Sequence, residues 1–284
     1  MKKVKFISFW LLLPVGMAIV ALNACSKDDD PVAVTGISLD KATFTLAVNE
    51  DFTLTATVTP SDATDKTVVW TSDKEAVAKV NNTGKVTSVT EGTATITAKA
   101  GAETATCTVT VKGVRINGVV WATRNVAAAG AFAAKPEDAG MFYQWNRKTA
   151  WASTGTVTGW KSDTPTGTTW EKGNDPSPAG WRVPTLDEIK KLFDTDKVKN
   201  EWTTAGREFT DKTTGNSIFL PAAGCRDNRD GTLYYVGLYG YYWSSTPHEG
   251  GSSNACSLGF GSDDAGWYSN FRSHGFSVRS VADN

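Results

Sequence analysis

Hydrophobic and polar positions alternate with a period of two along much of the chain. Phe52, Leu54, Ala56 and Val58 alternate with polar neighbours. So do Ala94, Ile96 and Ala98, and again Ala105, Cys107, Val109 and Val111. Turn-forming clusters separate these runs: Pro60-Ser61-Asp62, Asn81-Asn82-Thr83-Gly84 and Glu91-Gly92. Short alternating strands at this spacing predict a β-sandwich over 34–112.

The pattern changes after Lys112-Gly113. Residues 114–126 predict a strand pair, with Asn117-Gly118 as the hairpin turn. Residues 146–178 have no clear period, yet they hold Trp151, Trp160 and Trp170 among many Gly, Thr and Ser. A long aperiodic stretch in a compact domain points to a functional loop. The alternative is that these rings pin the loop to the core. Pro184 then stops the chain before Thr185, which predicts a helix N-cap, with Glu188 completing a capping box. Leu186, Ile189, Leu192 and Phe193 give that helix one apolar face. Further strands are predicted at 217–226, at 241–246 with Trp243 in the core, at 255–260, and at the end through Phe276, Val278 and Val281. Gly266-Trp267-Tyr268 reads as a turn followed by aromatics, a second place for exposed rings. Arg279 is expected to make a structural ion pair.

The first residues have a different character. Lys2, Lys3 and Lys5 precede an apolar run from Phe6 to Leu22, broken by Pro14 and Gly16. A basic start, an apolar core and a small residue before a cut define a secretory signal. The run is short for a membrane span, which needs about 20 apolar residues. Leu22, Ala24 and Cys25 resemble the lipobox of bacterial lipoproteins. That resemblance implies cleavage after residue 24, a lipidated Cys25 and a linker over 25–33. Triacylation exceeds the two signals that stable anchoring requires. Ser26-Lys27-Asp28-Asp29-Asp30 resembles the export tag of Bacteroidetes surface lipoproteins. The implied location is the outer membrane, exposed at the cell surface, with the membrane as a partner through the lipid.

Composition narrows the function. Lys plus Arg total 29 against 30 Asp plus Glu, a balance that gives no case for nucleic acid, which needs a clustered basic face. Two histidines and four cysteines without a C-x-x-C spacing speak against metal centres and thioredoxin-like chemistry. No cofactor or metal is expected. Asp227-Asn228-Arg229-Asp230-Gly231 superficially suggests a calcium loop. Arg229 stands where an oxygen ligand is needed, so a turn is the better reading. Eleven tryptophans and seven tyrosines leave a surplus of rings able to stack on sugars.

Two resemblances organise these observations. Val69-Trp70-Thr71-Ser72, Gly84-Lys85-Val86-Thr87 and Gly92-Thr93-Ala94-Thr95-Ile96 resemble a group 2 bacterial immunoglobulin-like domain, which implies a spacer over 34–112, with Cys107 and Trp70 in its core. Trp121-Ala122-Thr123-Arg124-Asn125-Val126, Gly140-Met141-Phe142-Tyr143-Gln144-Trp145, Gly180-Trp181-Arg182-Val183-Pro184-Thr185 and Phe276-Ser277-Val278-Arg279 resemble, in order, the Fibrobacter succinogenes major paralogous domain. It is similar to the C-type-lectin-like fold and would cover 114–284. The implied fold is an all-β immunoglobulin-like sandwich followed by an α+β C-type-lectin-like domain. No Glu-Pro-Asn or Gln-Pro-Asp triplet occurs, so a classical lectin calcium site is not expected. Members of that family often carry one cysteine just before Gly-Trp-Arg and another after the final Val-Arg. Ser177 and Ser280 stand there in this chain. A replacement disulfide between Cys225 and Cys256 is therefore expected in an oxidising compartment, with two buried thiols as the alternative.

The resulting expectation is a non-enzymatic surface binding or adhesion protein whose ligand is a glycan or a host or partner protein. Candidate ligand residues are Trp151, Trp160, Trp170, Arg226, Asp227, Asn228, Trp267 and Tyr268. The alternatives are a structural or tip component of a surface filament, and an enzyme related in fold to the formylglycine-generating enzymes. The latter is disfavoured because no active-site motif matches.

Overall fold

A computed structural model describes residues 30–250 and 253–283. Cys25, its lipobox and the acidic tag through Asp29 lie outside the described residues.

The first unit is built as its alternation requires. Gly92–Ala100 and Glu103–Val111 form a long antiparallel hairpin. Thr43–Leu46 joins it in parallel on one side and Val69–Ser72 antiparallel on the other. A second sheet orders Asp51–Thr53, Lys85–Ser88 and Ala78–Val80. Gly36–Leu39 pairs with Ala56–Thr59. The inward positions Leu46, Leu54, Ala78, Val86, Ala94, Ile96, Cys107, Val109 and Val111 make one core, with Trp70 packed on it. Cys107 is a fully buried core residue. The run from Phe52 to Val58 keeps its alternation but is divided. Its first part pairs in the second sheet and its last part with Gly36–Leu39, and Leu54 bonds Gly84 between them.

The junction is short. Glu103–Val111 ends two residues before Val114–Ile116 begins. Val48 packs against the apolar core of the second unit. Around it, Asn49 bonds Asn216 at 2.8 Å, Arg115 pairs with Glu50 and Arg124 with Glu91 at 3.0 Å. Apolar contact plus two partly shielded ion pairs hold the two units together.

The second unit is dominated by strands. The α+β expectation for it is not met. Leu186–Lys190 is the one α-helix among the described residues, and it has five residues. The reason lies in the apolar stripe: Leu192 and Phe193 continue it as the 3-10 turn Lys191–Phe193, so the helix stops early. The capping box is present. Thr185 Oγ1 accepts from the Glu188 amide at 3.2 Å, and the Glu188 carboxylate accepts from the Thr185 amide at 2.8 Å. The expected hairpin is present too: Asn117 and Gly118 take φ of 44° and 81° between Val114–Ile116 and Val119–Trp121. The C-terminal Val281–Ala282 lies between Val119–Trp121 and Trp181–Arg182.

Two large cores fill this unit, with a smaller cluster of Phe142, Trp151 and Ala223 beside them. One gathers Trp121, Ile189, Leu192, Phe209, Tyr242, Leu258 and Phe260. The other gathers Tyr143, Trp145, Trp170, Trp243, Phe276 and Val278. The sheet of Gly240–Pro247, Asn254–Phe260 and Ala265–Phe271 contributes to both. Strand geometry sends Tyr242, Leu258 and Phe260 to one side and Tyr241 and Trp243 to the other.

Buried arginines organise the irregular segments. Arg226 is fully buried and donates to the carbonyls of Ala152, Thr154, Gly155 and Gly231. Arg272 lies 4.1 Å over the Trp145 ring and donates to Gly167. Arg279 donates to Asn125, Ala122 and Phe219. Among the described residues it makes no ion pair, which corrects that expectation: neutral oxygens satisfy its fork, and burial pushes its pKa down to about 10. A guanidinium can tie several loop carbonyls at once because its donors lie in one rigid plane. The aperiodic 146–178 stretch has one short strand, Ala150–Ala152, paired with Met141–Tyr143, and much of the rest is tied down by Arg226 and Arg272.

Candidate functional site

The most exposed aromatic ground lies at one end of the three-stranded sheet. Strand alternation places Tyr241, Gly259 and Gly266 side by side on one face, with Tyr268 next along on that face. Two glycines make room for rings. A Cβ on Gly259 would lie 2.8 Å from Tyr268 Cδ2 and 3.7 Å from Tyr241 Cδ1. One on Gly261 would lie 2.8 Å from Tyr239 Cε1. A groove of about 340 Å³ results, walled by Tyr239, Tyr241 and Tyr268, with Gly259 and Phe260 below and Asp264 and Asn270 at its edges.

The walls are fixed before any ligand arrives. Tyr239 stacks on Tyr241 at 6.2 Å, Tyr241 on Phe276 at 5.0 Å, and Phe276 on Trp243 at 4.3 Å. This column of rings anchors one wall in the core. On the other side the Tyr268 hydroxyl donates to Asp264 Oδ2 at 2.8 Å. That carboxylate sits on a tight turn closed by Gly261 N to Asp264 O at 2.9 Å. Beneath the turn, buried Arg207 donates to the carbonyls of Gly261, Ser262 and Asp264. Rings held this way lose little freedom on binding. Burial pushes the Tyr241 pKa up to about 12. The bond to Asp264, aided by burial, raises that of Tyr268. Both phenols are neutral at physiological pH. A shoulder of Tyr234, Tyr235, Val236 and Leu238 continues the exposed apolar surface from Tyr239.

The residues expected from sequence are scattered. Trp151 and Trp170 are buried, at 7% and 8% exposure, which corrects their place as stacking platforms. Trp170 packs edge-on against Trp145 at 5.7 Å and bonds the Asn174 carbonyl. Trp160 is half-buried, 4.8 Å from Trp151, with its Nε1 on the Asn228 carbonyl. The alternative that these rings pin the loop is the one observed. Arg226 is a structural clamp and is removed from the ligand set. Asp227 is engaged by Arg229 at 2.9 Å, and the segment is a turn. Among the described residues no group of three His, Cys, Asp or Glu could hold a metal ion.

Trp267 and Tyr268 are both exposed, at 49% and 42%, but as strand neighbours they face opposite sides of the sheet. Lys190 Nζ lies 5.1 Å from the Trp267 ring, on the helix side. Only Tyr268 joins the groove. Tyr239, Tyr241, Asp264 and Asn270 were not singled out by sequence reasoning. The aromatic density of Tyr239-Gly240-Tyr241-Tyr242 is the available signal, but a run of adjacent rings in a strand does not show which of them reaches the surface.

The cysteines differ from expectation as well. Cys225 and Cys256 are free, buried thiols, and no disulfide joins them. They belong to different environments: Cys225 packs with the Trp243 core, whereas Cys256 Sγ faces the Pro247 carbonyl at 3.7 Å. Ser177 and Ser280, in contrast, meet. Their hydroxyl oxygens are 2.7 Å apart.

The molecule is thus an immunoglobulin-like sandwich carrying a second β unit with an open aromatic groove. Residues 33–111 match the bacterial Ig-like domain (group 2) and are such a domain. Its relatives match through this domain. An "Ig-like virion protein" of Serratia phage KSP90 is 52% identical over 83 residues, covering 28% of this chain and 32% of that protein. An alpha-L-arabinofuranosidase of Bifidobacterium longum subsp. longum is 51% identical over 67 residues, covering 24% of this chain and 6% of that enzyme. A kappa-carrageenase of Pseudoalteromonas carrageenovora is 44% identical over 68 residues, covering 24% and 17%. The chain therefore spans a third or less of the length of these relatives. Among solved structures, domains 4 and 5 of the S-layer protein SbsC align at 30% identity over 30% of this chain and 54% of that one, with a TM-score of 0.26. A score that low does not define a shared overall fold.

Proposed function

We propose that this chain is a lipid-anchored binding protein of the bacterial outer surface. Cys25 carries the anchor, the Ig-like domain is the spacer, and the second domain, C-type-lectin-like in kind, binds a glycan or protein ligand. The observation that carries the reading is the groove of Tyr239, Tyr241 and Tyr268, rigid, open and edged by Asp264 and Asn270. The axial C–H faces of a pyranose are apolar and pack on aromatic rings. Its hydroxyls bond the polar edges. The relatives fit a surface or binding role: one is named as a virion protein and others as enzymes of glycans. The Ser177–Ser280 contact supports the family resemblance, since these are the two positions where its members often carry cysteines.

The non-enzymatic reading has support from the thiols. Burial, with Asp227 nearby, pushes the Cys225 pKa up to about 12 and raises that of Cys256. A thiol without thiolate character is a poor nucleophile.

A glycan array probed with the full chain, in a detergent without a sugar headgroup, tests the proposal. Binding should survive a chelator and fall about two- to tenfold in Tyr268→Ala and Tyr239→Ala, as expected for losing one stacked ring worth ~0.5–1.5 kcal/mol. An array with no reproducible binder, or binding indifferent to both changes, would refute it.

A further inference from the structure

The groove has a sign. Its lining is Tyr239, Tyr241, Gly259, Phe260, Asp264, Tyr268, Ser269 and Asn270, which includes a carboxylate and no lysine or arginine. Asp263 stands beside Asp264, also exposed. Arg207 is the cation under this loop, but it is buried: its Nη1 donates to Asn200, its Nη2 donates to backbone carbonyls, and its unpartnered Nε is closed off from solvent. The Tyr241 and Tyr268 phenols are kept neutral, so they neither add to nor offset the Asp264 charge. Asn270 Nδ2 is drawn to Ser257 at 2.9 Å. Asp264, with one oxygen on Tyr268, keeps its other oxygen free to accept hydroxyl hydrogens.

We infer that the groove selects neutral pyranoses and rejects their uronic-acid and sulfated counterparts. This rests on the glycan reading above and adds the ligand's charge to it. Apolar ring faces meet the tyrosines, and vicinal hydroxyls donate to Asp264. A ligand carboxylate or sulfate finds no cation in the groove lining and meets the Asp264 carboxylate across a few ångströms. At an exposed site that repulsion is modest and screened by salt.

The test uses the full chain in the same detergent. Neutral di- and trisaccharides are titrated beside uronic-acid and sulfated forms of the same linkage. The neutral forms should bind about tenfold more tightly at low salt, equivalent to ~1.4 kcal/mol. The ratio should shrink at 0.5 M NaCl and in Asp264→Asn, whose side-chain oxygen can still accept from Tyr268. A purely structural role for Asp264 would weaken all ligands alike and leave the ratio unchanged, which would overturn the inference. Equal or tighter binding of the acidic forms would also overturn it while leaving the glycan reading intact. If neither set binds, the glycan reading fails and the inference with it.

Discussion

Ser177 and Ser280 should accept a disulfide. Their hydroxyl oxygens are already 2.7 Å apart, although the residues are 103 positions apart in sequence. A disulfide needs about 2.05 Å between sulfurs. Sulfur reaches further from Cβ than oxygen does, so most of the remaining gap closes without backbone movement. In the chain-entropy account, closing a loop of this size stabilises by ~4.7 kcal/mol. The serine hydrogen bond lost in exchange is worth ~1 kcal/mol. A net gain of ~3–4 kcal/mol is the upper expectation. At roughly 2–4 °C per kcal/mol for a unit of this size, Tm should rise by about 6–16 °C. The assay is thermal unfolding of Ser177→Cys/Ser280→Cys, oxidised and reduced, with the bridge located by peptide mapping. Failure to oxidise, or an oxidised form no more stable than the reduced one, would refute both the geometry and the correspondence of these serines to a lost bridge.

Two further outcomes follow from the same structure. Arg226→Met removes the donors from four carbonyls while keeping most of the volume. It should cost at least ~2 kcal/mol and expose the 152–156 segment to limited proteolysis, whereas unchanged urea midpoints would show that water replaces the clamp at no cost. Glu188 is raised by burial but pulled further down by Arg182 and the Thr185 amide, so its folded pKa lies below the ordinary value. Its contribution is present above about pH 4.3 and is lost as pH falls through the lower, folded value. The stability gap between wild type and Glu188→Gln should therefore narrow on acidification below pH 4, and a constant gap in pH-dependent unfolding would contradict that.

How legible the chain was depends on the range of the interaction. The capping box at Thr185 and Glu188 was readable because its partners are three residues apart. The Asn117-Gly118 hairpin was readable because both positive φ values are set by local residue type. The Ig-like strands were readable because one buried face imposes period two. The helix itself is readable, but its end at Lys190 is not, because helical spacing through Phe193 does not reveal where a 3-10 turn takes over. The tryptophans misled for a related reason. Trp151 and Trp170 look like free rings in an aperiodic loop, and it is Arg226 and Arg272, from distant segments, and the packing of Trp170 on Trp145 that show the loop is tied down.

Local order thus fixed the caps, the turns and the alternation of faces in this protein, since each depends on neighbours within a few positions. The groove was decided elsewhere. Tyr239, Tyr241, Asp264 and Tyr268 meet because Gly259 in the strand and Gly261 in the turn leave space for rings and because Arg207 holds a turn more than fifty positions away. The pairing of Ser177 with Ser280 and the separation of Cys225 from Cys256 arise in the same way. Such contacts are set by how sheets pack in three dimensions, and residue type along the chain does not encode them one position at a time.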